Sequence, residues 1–307
     1  MSLNYNIESY NKKLEEMERY SKMYTGFSCL DDNLNGIKPL LYILGGASSS
    51  GKTTFILQII TNLAKNNYPS LFYSFEQTEF ELISKMVSSI SYQYNKALST
   101  EEAKDIANYN IVSDCFKYME ENNYDNIEII EGNPDFTVSD IEQDIKKIKA
   151  REDNAPVIFI DYLQLLNANF DSYMTDKKRI DDIIINLKNI SKKYQVPIIV
   201  ISSINRGSYY SQIDFSAFKE SGIIEYSADV ILALEYSCMK NISFNDTNAK
   251  NTIERERMKE IKDIDIVCLK NRTGSTFRKS LKFLSKYSYF IELVDKDKSD
   301  SKKLKKL

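Results

Sequence analysis

GGASSSGKTT, residues 45–54, is the stretch of sequence that decides the fold. Four of its residues, Gly46, Gly51, Lys52 and Thr53, match G-x-x-x-x-G-K-[ST], the pattern of a phosphate-binding loop or P-loop. The apolar run 40–44 before the loop predicts a buried strand, and residues 53–64 after it predict an amphipathic helix. Because strand, glycine loop and helix follow in this order, the stretch predicts a nucleotide site in an α/β protein.

The residue types in this loop suit an anion. Glycines let the backbone turn so that several N–H groups face one phosphate, and the start of the helix adds a partial positive charge. Lys52 can reach the β- and γ-phosphates, and the Thr53 hydroxyl can ligate Mg²⁺. An ordinary turn is the alternative, but five of the 9 glycines lie between Gly26 and Gly51, which favours the loop. The residues expected to hold the nucleotide are Gly46, Ser48, Ser50, Gly51, Lys52, Thr53 and Thr54.

Composition excludes several classes of protein. The 307 residues suffice for one large domain or two small ones, and a net charge of −3 gives no overall basic field for nucleic acid. The absence of His excludes histidine metal ligands and histidine bases. The 4 cysteines form no C-x-x-C pair, so structural zinc and a disulfide framework are not expected, whereas a reducing cytoplasm is. No apolar run approaches 18 residues, so no membrane span is expected.

Apolar runs alternate with helical patterns along most of the chain. An amphipathic helix is predicted over residues 5–24, ahead of the P-loop strand, and it would pack on its own domain or on a neighbouring subunit. Residues 241–262 are polar and charged and predict an insertion or a loop. Strands are predicted at 71–75, 127–131, 157–160, 198–204, 229–234, 264–269 and 289–294. Strands separated by helices predict an α/β fold with a mainly parallel central sheet flanked by helices.

Two carboxylates follow predicted strands. Asp161 ends the run VIFID, residues 157–161, a Walker B pattern in which the carboxylate can support Mg²⁺. Glu76 follows the strand ending near Phe75 and can orient and deprotonate an attacking water. A simple acid beside a helix is an equally good interpretation of Glu76 from position alone. Parallel sheets bind ligands beyond the carboxyl ends of their strands, so we expect both carboxylates at the loop.

Six motifs in order resemble the DnaB-like replicative helicases, in which the motor is a RecA-type ATPase domain. The resemblance covers roughly residues 24–294. The segments that carry it are residues 25–39, the run SFE at 74–76, DYLQLL at 161–166, ISSINR at 201–206, KESG at 219–222 with Ala228-Asp229, and KNRTG at 270–274.

The resemblance implies roles for individual residues. ATP and Mg²⁺ are the implied ligands, with Thr53 and Asp161 at the metal and Glu76 as general base. Lys270 and Arg272 would act in trans, on the γ-phosphate held by the adjacent subunit, and such a finger is worth on the order of 10³–10⁵ in rate.

The resemblance also implies an assembly. It suggests a homo-oligomeric ring, expected to be hexameric, which translocates on single-stranded DNA during replication and contacts a primase or a helicase loader. The domains would be a linker-type helix at 1–24, the ATPase at 25–295 and a basic disordered tail at 296–307. The family's separate N-terminal domain has no counterpart here, so we expect an isolated motor domain or a naturally short relative.

Some residues depart from the family pattern. Ser203 replaces a glutamine that is thought to sense the γ-phosphate, and Lys219 replaces an arginine. The expected channel loop 207–215 has no basic residue, which leaves Arg206 before it and Lys177 and Lys178 of a second loop, 167–178, to bind DNA. The alternative function is a RecA-type ATPase that remodels a protein partner without unwinding DNA. A non-hydrolysing nucleotide-binding module is disfavoured by Glu76 and Asp161.

Overall fold

A single sheet with helices on both faces organises the protein. The computed structural model describes residues 6–133, 135–151, 154–167, 175–218, 221–242 and 248–293. The strands are β1 (Leu41–Gly46), β2 (Ser70–Ser74), β3 (Ile127–Glu131), β4 (Val157–Asp161), β5 (Ile198–Ile201), β6 (Val230–Tyr236), β7 (Ile261–Asn271), β8 (Phe277–Leu284) and β9 (Tyr289–Glu292). The helices are α1 (Ile7–Ser21), α2 (Ser28–Leu34), α3 (Lys52–Lys65), α4 (Glu79–Gln93), α5 (Tyr109–Glu121), α6 (Val138–Lys149), α7 (Asp176–Tyr194), α8 (Ser221–Ser227) and α9 (Ala249–Arg257).

The strand order explains where ligands can bind. The order is β3-β2-β4-β5-β1-β6-β7-β8-β9. The first six strands in this order pair in parallel, whereas β7, β8 and β9 each pair antiparallel with the strand before them. The predicted mainly parallel α/β sheet is therefore confirmed. From β1 the chain crosses past β5 and β4 to β2, whereas from β5 it crosses past β1 to β6. Because these two connections leave in opposite directions, a crevice opens at the carboxyl ends of β1 and β5.

Apolar residues alternate between two cores on either side of the sheet. Tyr42 and Leu44 of β1 pack with α3 and α4, whereas Leu41 and Ile43 pack with α6 and α7. Both sets are buried because β1 has helices on each face, and this is why its sequence is a continuous apolar run rather than an alternating one. The core on both faces holds the carboxyl ends of β1, β2 and β4 in fixed register.

Local hydrogen bonds account for helix starts. A capping box of Thr78 and Glu81 begins α4. A second box forms between Ser99 and Glu102: the Ser99 N–H donates to Glu102 at 2.8 Å and the Glu102 N–H donates back to Ser99 at 3.1 Å. Two three-residue 3₁₀ turns follow it, Glu102–Lys104 and Ile106–Asn108, and the next α-helix starts at Tyr109.

Two elements differ from the sequence predictions. The segment 241–262, predicted as a loop, contains α9, whose Ala249, Ile253 and Glu256 side chains are buried on one face. Strand β8 was not predicted, because its sequence FRKSLKFL is rich in charge. Its polar side chains are matched across the sheet instead: Lys282 pairs with Asp263 on β7, within 2.5 Å.

The first described helix lies outside the sheet. The helix predicted at 5–24 is observed as α1, and its Ile7, Tyr10, Leu14 and Met17 side chains are exposed. Predictions for Lys219, for most of the 167–178 loop and for the tail 296–307 fall outside the described residues. Among the helices that the structure describes, none is long and apolar enough to cross a membrane.

Candidate active site

The P-loop joins β1 to α3 through a tight backbone path. Gly51, the residue before the helix, has φ +90°, which a side chain would strain. A Cβ on Gly46 would lie 2.7 Å from the Leu234 carbonyl oxygen on β6, so this glycine lets the loop pass close to the neighbouring strand. Gly51 offers α3 no side-chain cap, so the first N–H groups of the helix are left for a ligand in the crevice.

Lys52 is folded into the loop that it follows. Its Nζ donates to the carbonyl oxygens of Gly46 and Ala47, each at 3.0 Å. Desolvation lowers the pKa of Lys52, although Asp161 and Glu76 oppose that shift. The Ser50 hydroxyl is buried and has no hydrogen-bond partner. A partly desolvated cation, an unpartnered hydroxyl and uncapped N–H groups together fit a polyphosphate.

Thr53 and Asp161 meet at the end of β4. The Thr53 hydroxyl donates to Oδ2 of Asp161 at 2.6 Å, and Asp161 is 2% exposed. Burial raises the pKa of Asp161, whereas the hydrogen bond from Thr53 and the charge of Lys52 oppose that shift. A hydroxyl beside a carboxylate is an oxygen-donor set that suits Mg²⁺, so these residues could hold the metal against the phosphates.

Glu76 faces the same crevice from β2. It lines a cleft of about 550 Å³ together with Lys52, Thr53, Asp161 and Ser203. A cleft of this size falls in the range of small-molecule sites. The Glu76 carboxylate is exposed, so solvent water can reach it in the part of the cleft that the P-loop lines. The structure thus brings together the P-loop, Asp161 and Glu76, as the order of motifs predicted.

Lysines that the sequence did not single out also line the cleft. Lys85 on α4 donates to Gln77 at 2.7 Å, and desolvation lowers its pKa against the attraction of Asp161 and Glu76. Lys262 on β7 is 7% exposed and lies 5.6 Å from the ring centre of Phe283. Neither lysine belongs to a short motif, and only the fold brings them to the phosphate-binding loop.

An amide lies beside the serine that replaces the family glutamine. The Ser203 N–H donates to Oε1 of Gln164 at 3.3 Å, and Nε2 of Gln164 donates to the Ser202 hydroxyl at 3.2 Å. Gln164 comes from the DYLQLL run after β4. It therefore spans the gap between the Asp161 strand and the end of β5, where the predicted channel loop begins.

The predicted DNA-binding cations are exposed. Arg206 starts the 3₁₀ turn Arg206–Tyr210 after β5, and Lys177 and Lys178 lie in the first turn of α7. Tyr210 in the same turn as Arg206 donates from its hydroxyl to Glu254 at 3.1 Å, so it is held against α9.

Lys270 and Arg272 lie at the opposite edge of the sheet. Asn271 at the end of β7 pairs with Val230, the first residue of β6, which in turn pairs with Tyr42. The P-loop begins beyond Gly46, roughly 13 Å further along β1 at about 3.3 Å per residue. The structure does not bring these two cations to the P-loop of their own chain.

Both cations have partners at that edge. Arg272 donates to Oδ1 of Asp229 at 3.1 Å, and the same buried carboxylate forms an ion pair with Lys188. Lys270 donates to the backbone carbonyl of Glu225. The Arg272 side chain is 58% exposed despite its pairing, so it can be reached from outside the chain.

Comparison with known families extends over nearly the whole chain. The family model for the DnaB-like helicase C-terminal domain matches residues 23–292. The replicative DNA helicase DnaB of Haemophilus influenzae is 26% identical over 292 residues, which cover 92% of this chain and 58% of that protein. The DnaB of Geobacillus stearothermophilus is 29% identical over 280 residues, covering 88% and 56%. This chain thus spans a little over half the length of those relatives.

Solved structures share the fold. A solved ATPase domain superposes with a TM-score of 0.77 at 21% identity, covering 95% of this chain and 100% of that one. A DnaB-like replicative helicase described with its interactions with primase gives a TM-score of 0.74 at 21% identity, covering 95% and 68%. The expected resemblance over residues 24–294 is confirmed in family and in fold.

Proposed function

This chain belongs to the DnaB-like helicase C-terminal domain family, and from that premise we propose that it is an ATP-driven motor that moves on single-stranded DNA in replication. The observation that carries the proposal is the contact between Thr53 of the P-loop and Asp161 of the Walker B strand, with Glu76 lining the same cleft. The relatives described above are replicative helicases, which favours this function over an ATPase that remodels a protein partner.

The residues around the cleft can divide the work of hydrolysis. Uncapped N–H groups of α3 and the Lys52 ammonium bind and orient the β- and γ-phosphates of ATP. Mg²⁺ held by Thr53 and Asp161 would neutralise charge on the phosphate oxygens. Glu76 orients a water and accepts its proton as the water attacks the γ-phosphorus; the bond from that phosphorus to the β–γ bridging oxygen breaks, and ADP and inorganic phosphate are released.

A second copy of the chain would complete the site. Lys270 and Arg272 lie at the amino edge of the sheet, away from their own P-loop, and the guanidinium is open to the outside. In a closed ring each interface is heterologous, so one face of a subunit meets a different face of its neighbour. We propose that both cations reach the neighbour's γ-phosphate there, in a hexamer.

Helix α1 supplies a surface for that ring. Its apolar side chains at positions 7, 10 and 14 are at least half exposed, with fractions of 70%, 54% and 51%. An amphipathic helix that leaves its apolar stripe in water gains from covering it. We propose that the segment 1–24 docks on the next subunit, that 25–295 is the motor, and that a primase or a loader contacts the ring in the cytoplasm.

DNA would run past the loops at the centre of the ring. Arg206, Lys177 and Lys178 are exposed and can neutralise backbone phosphates. Because each subunit offers few cations here, we expect several subunits of the ring to contact the same DNA strand. The amide of Gln164 reaches the end of β5, where its Oε1 accepts a hydrogen bond from the Ser203 N–H.

ATP turnover with and without single-stranded DNA tests the proposal. We expect turnover that requires magnesium, increases with DNA, and drives strand displacement on a forked duplex. Native mass measurement with ATP and magnesium should show a hexamer. A turnover rate that does not respond to single-stranded DNA would contradict the motor function and favour the protein-remodelling alternative.

A further inference from the structure

Helix α9 touches the P-loop on one side and the predicted channel loop on the other. Nη2 of Arg257 lies 3.5 Å from the Ser49 hydroxyl in the P-loop, within hydrogen-bond distance. Three residues earlier on the helix, Oε1 of Glu254 accepts a hydrogen bond of 3.1 Å from the Tyr210 hydroxyl. The same carboxylate oxygen is 3.8 Å from Nη1 of Arg257. A continuous polar path therefore runs from Ser49 to Tyr210.

Helix α9, which carries this polar path, is packed against the core. Ala249 and Ile253 of α9 are buried against the core, at 8% and 3% exposure. Lys250, also on α9, lies 5.9 Å from the centre of the Tyr210 ring. Since the helix is held by its apolar face, the polar side chains on it can shift without moving the backbone.

The far end of the channel loop is anchored separately. The Ile213 N–H donates to Oε2 of the buried Glu235 at 2.9 Å, and Glu235 pairs with Arg278. Ile213 itself is 4% exposed. The loop is thus fixed at residue 213, and Tyr210 is the point at which α9 can influence the part that precedes it.

We propose that Arg257 and Glu254 are positioning residues that couple the nucleotide on the P-loop to the channel loop. The proposal rests on the function proposed above, namely ATP at the P-loop and DNA at the channel. Phosphate bound beside Ser49 attracts the Arg257 guanidinium, which weakens its attraction for Glu254 and leaves the carboxylate to Tyr210. The path supplies a link between the two sites in a chain that has Ser203, not glutamine, at the end of β5.

Hydrogen exchange of the loop peptide 206–212 tests the link without DNA. With magnesium and a non-hydrolysed ATP analogue, we expect hydrogen exchange in the wild-type ring to slow about fivefold. This is the lower end of the effect that a ligand at one site typically has on a second site. In Arg257→Gln the slowing should disappear, whereas Arg255→Gln, an exposed arginine on the same helix, should keep it. Slowing retained in Arg257→Gln, or absent in wild type that binds the analogue, would overturn the proposal.

DNA-stimulated turnover provides the second measurement. Tyr210→Phe removes only the hydroxyl that donates to Glu254, and we expect it to lower the stimulation by DNA about fivefold. Combined with Arg257→Gln it should lower the stimulation no further, because both changes break one path. Additive effects would contradict a shared path. Wild type that shows the exchange effect but ignores DNA would refute the motor function and support the link.

Discussion

The Thr53 hydroxyl donates a hydrogen bond of 2.6 Å to Oδ2 of Asp161, and this bond joins the start of α3 to the end of β4. The two residues are 108 positions apart in sequence, and a whole strand, β5, separates β1 from β4 in the sheet. Their contact shows that the two groups expected at the metal are already in place before any ligand is considered. The site is preorganised by the sheet rather than by a flexible loop.

Lys52→Ala should abolish ATP hydrolysis. The Lys52 Nζ, which donates to the carbonyl oxygens of Gly46 and Ala47, is the cation expected to contact the β- and γ-phosphates. Loss of one such group lowers turnover by a factor on the order of 10²–10³. Phosphate release under saturating ATP measures it. Lys65→Ala, at the other end of α3, is the matched control and should turn over normally.

Asp161→Asn should stop hydrolysis and at the same time raise the melting temperature of the nucleotide-free protein. Burial raises the pKa of Asp161, so the native state binds the proton more tightly than the unfolded chain, and the ionised carboxylate opposes folding at pH 7. An amide removes that cost and still accepts from Thr53. Each kcal/mol gained raises the melting temperature by about 2–4 °C in a domain of this size.

Thermal unfolding followed by circular dichroism, in buffer with a chelator, checks this expectation. A lower melting temperature for Asp161→Asn would mean that the carboxylate stabilises the fold through contacts beyond Thr53. Unchanged hydrolysis would remove Asp161 from the catalytic machinery.

The phosphate-binding half of the site was predictable because its signals are local. The apolar run 40–44 leads into the loop 45–54, and the apolar run 157–160 leads into Asp161; the parallel sheet brings such strand ends to one edge. Lys85 and Lys262 were not predictable in this way. Their place in the cleft depends on how α4 and β7 pack, and neither lies in a pattern that sequence alone can read.

The elements that were missed are those stabilised by charge. Strand β8 is held by pairs such as Lys282 with Asp263 and Arg278 with Asp265, and such cross-strand pairs leave no apolar periodicity. Helix α9 exposes most of its charged residues and buries only a narrow face around Ile253. In both cases tertiary contacts outweigh a local pattern that favours a loop.

Arg272→Ala should lower turnover by on the order of 10³-fold or more while leaving nucleotide binding intact. The guanidinium is far from its own P-loop, so its effect must come from the adjacent subunit. The fold should survive because Asp229, the present partner of Arg272, keeps its ion pair with Lys188 and its hydrogen bond from the Leu41 N–H.

Mixing two inactive variants separates action in trans from action in cis. Rings assembled from Lys52→Ala and Arg272→Ala subunits contain interfaces in which an intact P-loop meets an intact Arg272. We expect partial recovery of phosphate release in the mixture. If the mixture stays as inactive as either variant alone, the in-trans assignment is wrong.

Glu142→Gln should weaken stability at pH 7 but not at pH 2. Hydrogen bonds from Lys193, at 2.8 Å, and from Tyr194 lower the pKa of Glu142 to about 2. The stabilisation is complete above the unfolded value of about 4.3 and is lost as the pH falls through about 2. Because the Lys193 side chain is 64% exposed and solvent screens its charge, we expect no more than about 1 kcal/mol. Urea unfolding at several pH values checks the window; an equal difference at all pH values would contradict it.

Arg206→Ala should weaken binding of single-stranded DNA and flatten its salt dependence. The described part of the two expected DNA-binding loops exposes few cations, and Arg206 begins the 3₁₀ turn that follows β5. Each phosphate contact on a single strand contributes about 0.7 to the slope of log K against log salt, so the slope should fall by about that amount for every subunit engaged. Fluorescence anisotropy of a labelled oligonucleotide between low and physiological salt measures both quantities.

Arg255→Ala on the exposed face of α9 is the control and should retain the wild-type slope. An unchanged slope for Arg206→Ala would place the DNA away from the end of β5, and with it away from the loop that Tyr210 belongs to.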